Sequence, residues 1–336
     1  MINVGFIGAG EIARTHAAAL AEVPEARLVV VTDALAEKAG NMAHKYGAKT
    51  AADLDELLCF PGLDFVYILT PPAVHAQQII AVAQAGLPML CEKPLTMTLE
   101  EADQAVSAAK RARVPVMTGL THRYHPLAAR AKELLENGEL GDFVAAWSHR
   151  LTFLDVQPGS WLSSRALGGG MALQYALHDL DWECWLGGDV AQISAQEAHT
   201  NPRIDIEDNL WALLQFRNGG SGSVGVSWSA QHSHTERGLI GSRGNLRIIN
   251  QKRLVGRTSD GKDLEIDLGD DYDWFDVFVR ESRDAIMRLD RAEPFRISAE
   301  DGRNALEVSL AVQRAATTHQ MVALPCKELP EMEKNA

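Results

Sequence analysis

Val4-Gly5-Phe6-Ile7-Gly8-Ala9-Gly10-Glu11-Ile12-Ala13 is the stretch that decides how this chain folds. A short apolar run ends in Gly8-x-Gly10-x-x-Ala13, and a helical pattern opens directly behind it. Gly8 permits a tight turn, and Gly10 lets backbone come close to a pyrophosphate. Ala13 is small enough for a helix to pack on the preceding strand. The first helical residues, Glu11 and Ile12, present N–H groups and the positive end of the helix dipole to an anion. An acidic residue is then expected about 20 residues on, at the end of the next strand, to take the ribose hydroxyls. Asp33, after Val29-Val30-Val31-Thr32, holds that position, and it could also cap a helix starting at Ala34. No arginine follows closely to receive a 2′-phosphate, so NAD is expected in preference to NADP.

The surrounding pattern agrees. Apolar runs at Ile2–Ile7, Leu28–Thr32, Phe65–Leu69, Met89–Cys91 and Val116–Met117 are rich in Val, Ile and Leu, as strands buried on both faces are. Helical patterns lie between them, at Glu11–Glu22, Ala34–Tyr46, Ala73–Ala85 and Leu99–Arg113. The alternation predicts βαβ crossovers and a doubly wound parallel sheet over residues 1–122. Beyond, a helix at Leu127–Asn137, a stretch at Phe143–Arg150 and a helix near Leu177–Leu186 precede a change of period. Leu210, Ala212, Leu214 and Phe216 alternate with their neighbours up to the turn Asn218-Gly219-Gly220, and Val224, Val226 and Trp228 alternate after it. This predicts a hairpin in a large, mostly antiparallel open sheet, within an α+β second domain over residues 123–336. Helices at Trp274–Leu289 and Ser298–Gln320 close the pattern. The fold class is α/β.

Composition narrows the function. The chain has 336 residues, enough for two packed domains, with 46% hydrophobic and 23% charged residues. Its net charge of −13 repels a nucleic-acid backbone, and Lys110, Arg111 and Arg113 read as a solvated helix end. No stretch approaches the roughly 20 apolar residues of a membrane span, and the first residues run straight into a strand. A cytosolic protein is expected. Cys59, Cys91, Cys184 and Cys326 are scattered, so they read as free thiols, and no metal site is expected.

Further motifs bear on chemistry. They are Thr70-Pro71-Pro72 with His75, Glu92-Lys93-Pro94, Gly119-x-x-x-Arg123-Tyr124, Gly168-Gly169-Gly170, His178-x-x-Asp181 and Ser298-Ala299-Glu300-Asp301-Gly302. In this order, over nearly the whole chain, they resemble the glucose–fructose oxidoreductase, inositol dehydrogenase and MocA family. Lys93 ends a parallel strand at the carboxyl edge, where open α/β sheets place ligands. A lysine there is either a solvated loop residue or one whose pKa is lowered toward a catalytic range. The resemblance implies the catalytic role, and a cis Lys93–Pro94 bond. His178 shares a helix face with Asp181, Trp182 and Trp185. It could be a core histidine or, with Asp181, a metal ligand. The resemblance implies a general base, with Asp181 holding a substrate hydroxyl or orienting the imidazole.

Relatives usually carry an acid four residues before this histidine and a glycine two before it, where this chain has Gln174 and Ala176. Gln174 can still hydrogen-bond a substrate hydroxyl. Thr70, Pro71, His75, Glu92, Lys93 and Arg123 are implied cofactor-side contacts, although Glu92 and Arg123 could equally form an ion pair. Trp161 and Arg165 could hold a sugar ring, or Trp161 could anchor packing. The strand face bearing Ser223, Gly225, Ser227 and Ser229 reads as small and flat, suited to a second subunit in a homodimer or homotetramer. The expected activity is NAD-dependent hydride transfer at a hydroxyl carbon of a sugar, inositol or related polyol. A redox-neutral epimerase or eliminase that retains its NAD, and a non-catalytic dinucleotide sensor, are the alternatives.

Overall fold

A computed structural model of the chain describes residues 1–325, the side chain of Trp161 excepted. The N-terminal part alternates as expected: β1 (Ile2–Ile7), α1 (Glu11–Ala21), β2 (Ala26–Thr32), α2 (Ala36–Tyr46), β3 (Lys49–Thr50), α3 (Leu54–Leu58), β4 (Phe65–Ile68), α4 (His75–Gln84), β5 (Met89–Glu92), α5 (Leu99–Ala112) and β6 (Val116–Gly119). The six strands form one parallel sheet in the order β3-β2-β1-β4-β5-β6. The order reverses between β1 and β4, so a crevice opens at their carboxyl ends. Buried Phe6 and Tyr67 stack across β1 and β4 with ring centroids 5.1 Å apart. α2 starts at Ala36, two residues later than expected, because the Asp33 carboxylate accepts from the Leu35 N–H and turns the chain first.

The chain continues through α6 (Pro126–Glu136), β7 (Phe143–Phe153), α7 (Arg165–Gly168), a π-helical turn at Ala172–Ala176, α8 (Leu177–Gly187), β8 (Val190–Ala198), β9 (Asn209–Phe216), β10 (Ser221–Ser227), β11 (Ser229–Gly241), β12 (Asn245–Ile249), β13 (Arg253–Arg257), β14 (Asp263–Asp267), α9 (Asp276–Asp290), α10 (Ala299–Thr318) and β15 (Val322–Ala323). Its nine strands form a second sheet, β14-β13-β12-β11-β7-β10-β9-β8-β15, antiparallel except where β10 runs parallel to β7. The β9–β10 hairpin is as expected, with Gly219 at φ +89° in its turn. β8 and the strands from β11 to β14 went unread in the sequence.

One face of this sheet packs on α8 and α10. The opposite face departs from expectation. It is not small and flat, because Trp211 and Trp147 lie across its glycines. A Cβ on Gly225 would stand 2.3 Å from the Trp211 ring, and one on Gly238 2.0 Å from Trp147. Trp211, Leu213, Ile240 and Phe153 remain exposed there.

Two late helices reach back to the first sheet. α9 packs on α1, and α10 lies along β6 as well as β8. α10 begins at a capping box in which Ser298 accepts from the Asp301 N–H. Gly302 follows because a Cβ there would stand 2.3 Å from the Thr118 hydroxyl of β6. Among the described residues no helix is long and apolar enough to cross a membrane, and Cys59, Cys91 and Cys184 are free thiols. Cys326 lies outside the described residues.

Candidate active site

The phosphate-binding turn forms where β1 meets α1. Gly8 sits at φ +103°, and a Cβ on it would stand 2.6 Å from the Leu69 carbonyl, so only glycine fits. A Cβ on Gly10, the residue capping α1, would meet nothing within 4 Å. That leaves an open cradle over the helix N-terminus. The Asp33 carboxylate accepts from the Ala9 N–H at 2.7 Å, so it stands beside the turn at the end of β2. This geometry fits a dinucleotide: an anion at Gly10 and the first turn of α1, with ribose hydroxyls at Asp33.

Along the same edge, Thr70 and Pro71 follow β4, Glu92 ends β5 and Lys93 comes directly after it. His75 is fully buried, with Nδ1 2.9 Å from the Pro94 carbonyl and Nε2 2.8 Å from the Thr70 carbonyl. It therefore ties the two loops together from behind and has no surface to offer a cofactor. Burial lowers its pKa. The Thr70 hydroxyl donates to Gln78. Glu92 is also buried; it pairs with His16 of α1 at 2.9 Å and accepts from the Lys93 N–H. The Lys93–Pro94 peptide is cis, as the resemblance implies.

Half-buried Lys93 reaches the π-helical turn before α8, where its ammonium donates to the Gln174 carbonyl at 2.6 Å. Desolvation, and then the Arg150 charge, lower its pKa against the opposing pull of Glu92. Gln174 lies in the π-turn that precedes α8, a distortion frequent at functional sites. Its side chain is buried, and neither carboxamide atom has a hydrogen-bond partner. His178, one turn on, is buried too and forms no side-chain hydrogen bond. Its ring stacks on His122, centroids 4.0 Å apart and planes within 4°. Burial depresses the His178 pKa strongly, and Lys93, Arg150 and Arg237 press the same way.

Two expected roles are displaced. Asp181 is not turned to the cleft: Arg123 grips both its oxygens, Nε to Oδ2 at 2.9 Å and Nη2 to Oδ1 at 2.6 Å, and also reaches Asp301 at 3.0 Å. The pair is buried, so Asp181 neither orients His178 nor shares a metal with it, and Arg123 joins α8 to α10. The paired carboxylates hold Arg123 firmly protonated. Arg165 is likewise spent, on Glu207 at 2.6 Å, and Glu207 also accepts from the Met171 N–H. The Arg165–Glu207 pair thus shapes the Gly168–Gly170 turn. The side chain of Trp161 lies outside the described residues.

The sequence reading missed the residues beneath His178. Asp179 is fully buried and accepts from Ser148, Arg150 and Arg237. The two guanidinium groups hold it ionised against the cost of burial. Arg237 also donates to His122 Nδ1 at 2.6 Å. Strand alternation was the available signal, since it turns Ala146, Ser148 and Arg150 of β7 toward α8 together.

The family model described as "Oxidoreductase family, NAD-binding Rossmann fold" matches residues 2–120, and the GFO/IDH/MocA C-terminal domain matches residues 128–247. Myo-inositol 2-dehydrogenase of Thermotoga maritima is 27% identical over 338 residues, spanning 96% of this chain and 98% of that protein. The scyllo-inositol 2-dehydrogenase (NAD(+)) of Bacillus subtilis is 30% identical over 258 residues, 75% of this chain and 74% of its own length. A levoglucosan dehydrogenase solved in complex with NADH shares the fold with a TM-score of 0.90 over 97% of this chain and 100% of its own, at 22% identity. The Gly8 turn, the paired sheets and the two adjoining family matches lead to one assignment: the chain belongs to the GFO/IDH/MocA family of oxidoreductases.

Proposed function

We propose that the chain is an NAD-dependent dehydrogenase that oxidises a secondary hydroxyl of a sugar, inositol or related polyol. The observation that carries this reading is the hydrogen bond that Lys93 makes across the crevice to the Gln174 carbonyl, one turn before His178. Bound at the Gly8–Ala13 turn, the dinucleotide supplies the hydride acceptor. His178, kept neutral by its buried and positively charged surroundings, takes the hydroxyl proton. Lys93 donates to the same oxygen and steadies the developing alkoxide. Gln174 offers a donor and an acceptor to a neighbouring hydroxyl. Glu92, fixed by His16, holds the backbone of Lys93 in place.

NAD is favoured over NADP because the Asp33 carboxylate would repel a 2′-phosphate. The substrate class is supported by the names of the relatives, which include two inositol dehydrogenases. Residues 1–122 form the cofactor domain and the remainder the substrate domain, with α9 and α10 packed across both. The exposed apolar face around Trp211 and Leu213 suits a homodimer or a homotetramer, and the working compartment is the cytosol. The test is steady-state NADH formation from NAD with a panel of inositols, aldoses and alditols. Sustained NADH release supports the dehydrogenase. Substrate conversion without NADH release would favour the redox-neutral alternative, and no conversion would favour the sensor.

A further inference from the structure

Lys93 and Arg150 dock on successive carbonyl oxygens of one turn. Lys93 donates to Gln174 and Arg150 to Tyr175, where the π-turn passes into α8. Arg150 and Arg237 share the single carboxylate of Asp179. Three cations therefore meet two acids in this corner of the crevice, Asp179 and the Glu92 that draws on Lys93. The Glu92 carboxylate, held by His16 and the Lys93 N–H, offsets part of the Lys93 charge, and Asp181 is taken up by Arg123. Burial raises the Glu183 pKa and so disfavours its charge. His122 accepts from Arg237, so it adds no negative charge.

Buried charge without a counter-charge is costly, and a bound anion relieves it. A second observation points the same way. The Gln174 carboxamide is more than nine-tenths buried, yet both its polar atoms are unpartnered, and His178 Nδ1 beside it is unpartnered as well. Arg150 uses Nε and Nη2 on Asp179 and Tyr175, and its Nη1 forms no hydrogen bond. The corner thus presents positive charge and free donors but no free acid. A substrate bearing only hydroxyls would leave the excess positive charge uncompensated.

We infer that the polyol oxidised here carries a carboxylate close to the reacting carbon, as aldonic and uronic acids do, and that Arg150 and the Gln174 amide seat it beside Lys93. This rests on the dehydrogenase reading of the same crevice. A carboxylate matches the planar guanidinium and the amide donor in a way that a hydroxymethyl group cannot.

The experiment compares matched pairs that differ only in this group: D-gluconate with D-glucitol, and D-glucuronate with D-glucose. Binding to the NAD-loaded protein is measured by calorimetry and turnover by NADH formation. The acid of at least one pair should bind, and react by kcat/KM, about tenfold or more better than its neutral partner. Gln174→Glu should reduce that ratio about tenfold or more by placing a like charge against the carboxylate. Arg150→Gln should reduce it as well, with Arg150→Lys restoring part. Each ratio is internal to one variant, so partial loss of folded protein does not move it. Neutral partners used equally well by the wild type overturn the carboxylate and leave the dehydrogenase standing. Acids that bind tightly without NADH formation overturn the dehydrogenase and leave the anion site. Absence of binding by all four overturns the inference.

Discussion

The rings of His122 and His178 lie face to face, 4.0 Å apart and 4° from parallel, between the loop after β6 and α8. Arg237 donates to His122 Nδ1, so that nitrogen carries no proton, and burial lowers the pKa of both rings. His122 is therefore a platform that sets the plane of His178 while leaving its nitrogens free. Its removal should lower kcat more than it raises KM. We expect His122→Ala to cut kcat about tenfold, with NAD affinity within about twofold of wild type. Steady-state kinetics beside an NAD titration measure both; an unchanged kcat would show that the stack is packing alone.

The chemical pair itself should be far more sensitive. Lys93→Ala and His178→Ala should each reduce kcat by about 100-fold or more, because each removes a group proposed to touch the reacting oxygen. NAD binding should survive, since the Gly8 turn and Asp33 lie on other loops. Turnover near the wild-type rate in either folded variant would sink the mechanism.

Asp33 links the cofactor turn to the end of β2 by accepting from the Ala9 and Leu35 N–H groups. Asp33→Ala should weaken NAD and narrow the gap to NADP, through loss of ribose acceptors and of repulsion toward a 2′-phosphate. Parallel titrations with the two dinucleotides report this directly. A wild type that prefers NADP would refute the assignment.

The charges around His178 make its pH response legible. Lys93, Arg150 and Arg237 lower its pKa, Asp179 raises it, and Gln174 adds no charge. A carboxylate at position 174 would favour imidazolium, so Gln174→Glu should move the acid limb of kcat/KM upward by about one unit. The profile is read with a neutral polyol, to keep substrate charge out of the comparison. An unmoved limb in an active variant would mean that the side chain does not sense the base.

Glu183 of α8 supplies a test of stability. It is fully buried under Gly222 of β10, where an added Cβ would stand 2.2 Å from its carboxylate, and neither oxygen is hydrogen-bonded. Burial pushes its pKa well above the ordinary 4.5, Asp179 adds to this, and Arg237 and the nearby Ser223 amide draw it back. A raised folded-state value means that its stability contribution is full below 4.5 and is lost as pH rises through the folded value. Glu183→Gln keeps the shape without the ionisation. Its melting temperature should exceed that of wild type by a margin that widens as pH rises above 4.5. A margin constant with pH would show that Glu183 ionises freely in the fold.

The first sheet was legible because its information is local. The Gly8 turn, Asp33 and each βαβ unit are encoded within one strand and the helix beside it, and apolar runs mark strands buried on both faces. The β9–β10 hairpin was legible for the same reason, through period-2 alternation and Asn218-Gly219-Gly220. Lys93 and His178 could be picked out by position and resemblance, and Gln174 by its departure from that pattern. What they meet was not readable. Asp181 is paired with Arg123 and Arg165 with Glu207 because buried charges take whichever partner the packing brings within reach, however far apart in the chain. The same holds for Asp179 with Arg150 and Arg237, and for His122 on His178. These contacts join α8 to β7, β11 and the loop after β6. A periodic pattern tells which face of an element is buried, and only the tertiary structure decides which charge stands opposite.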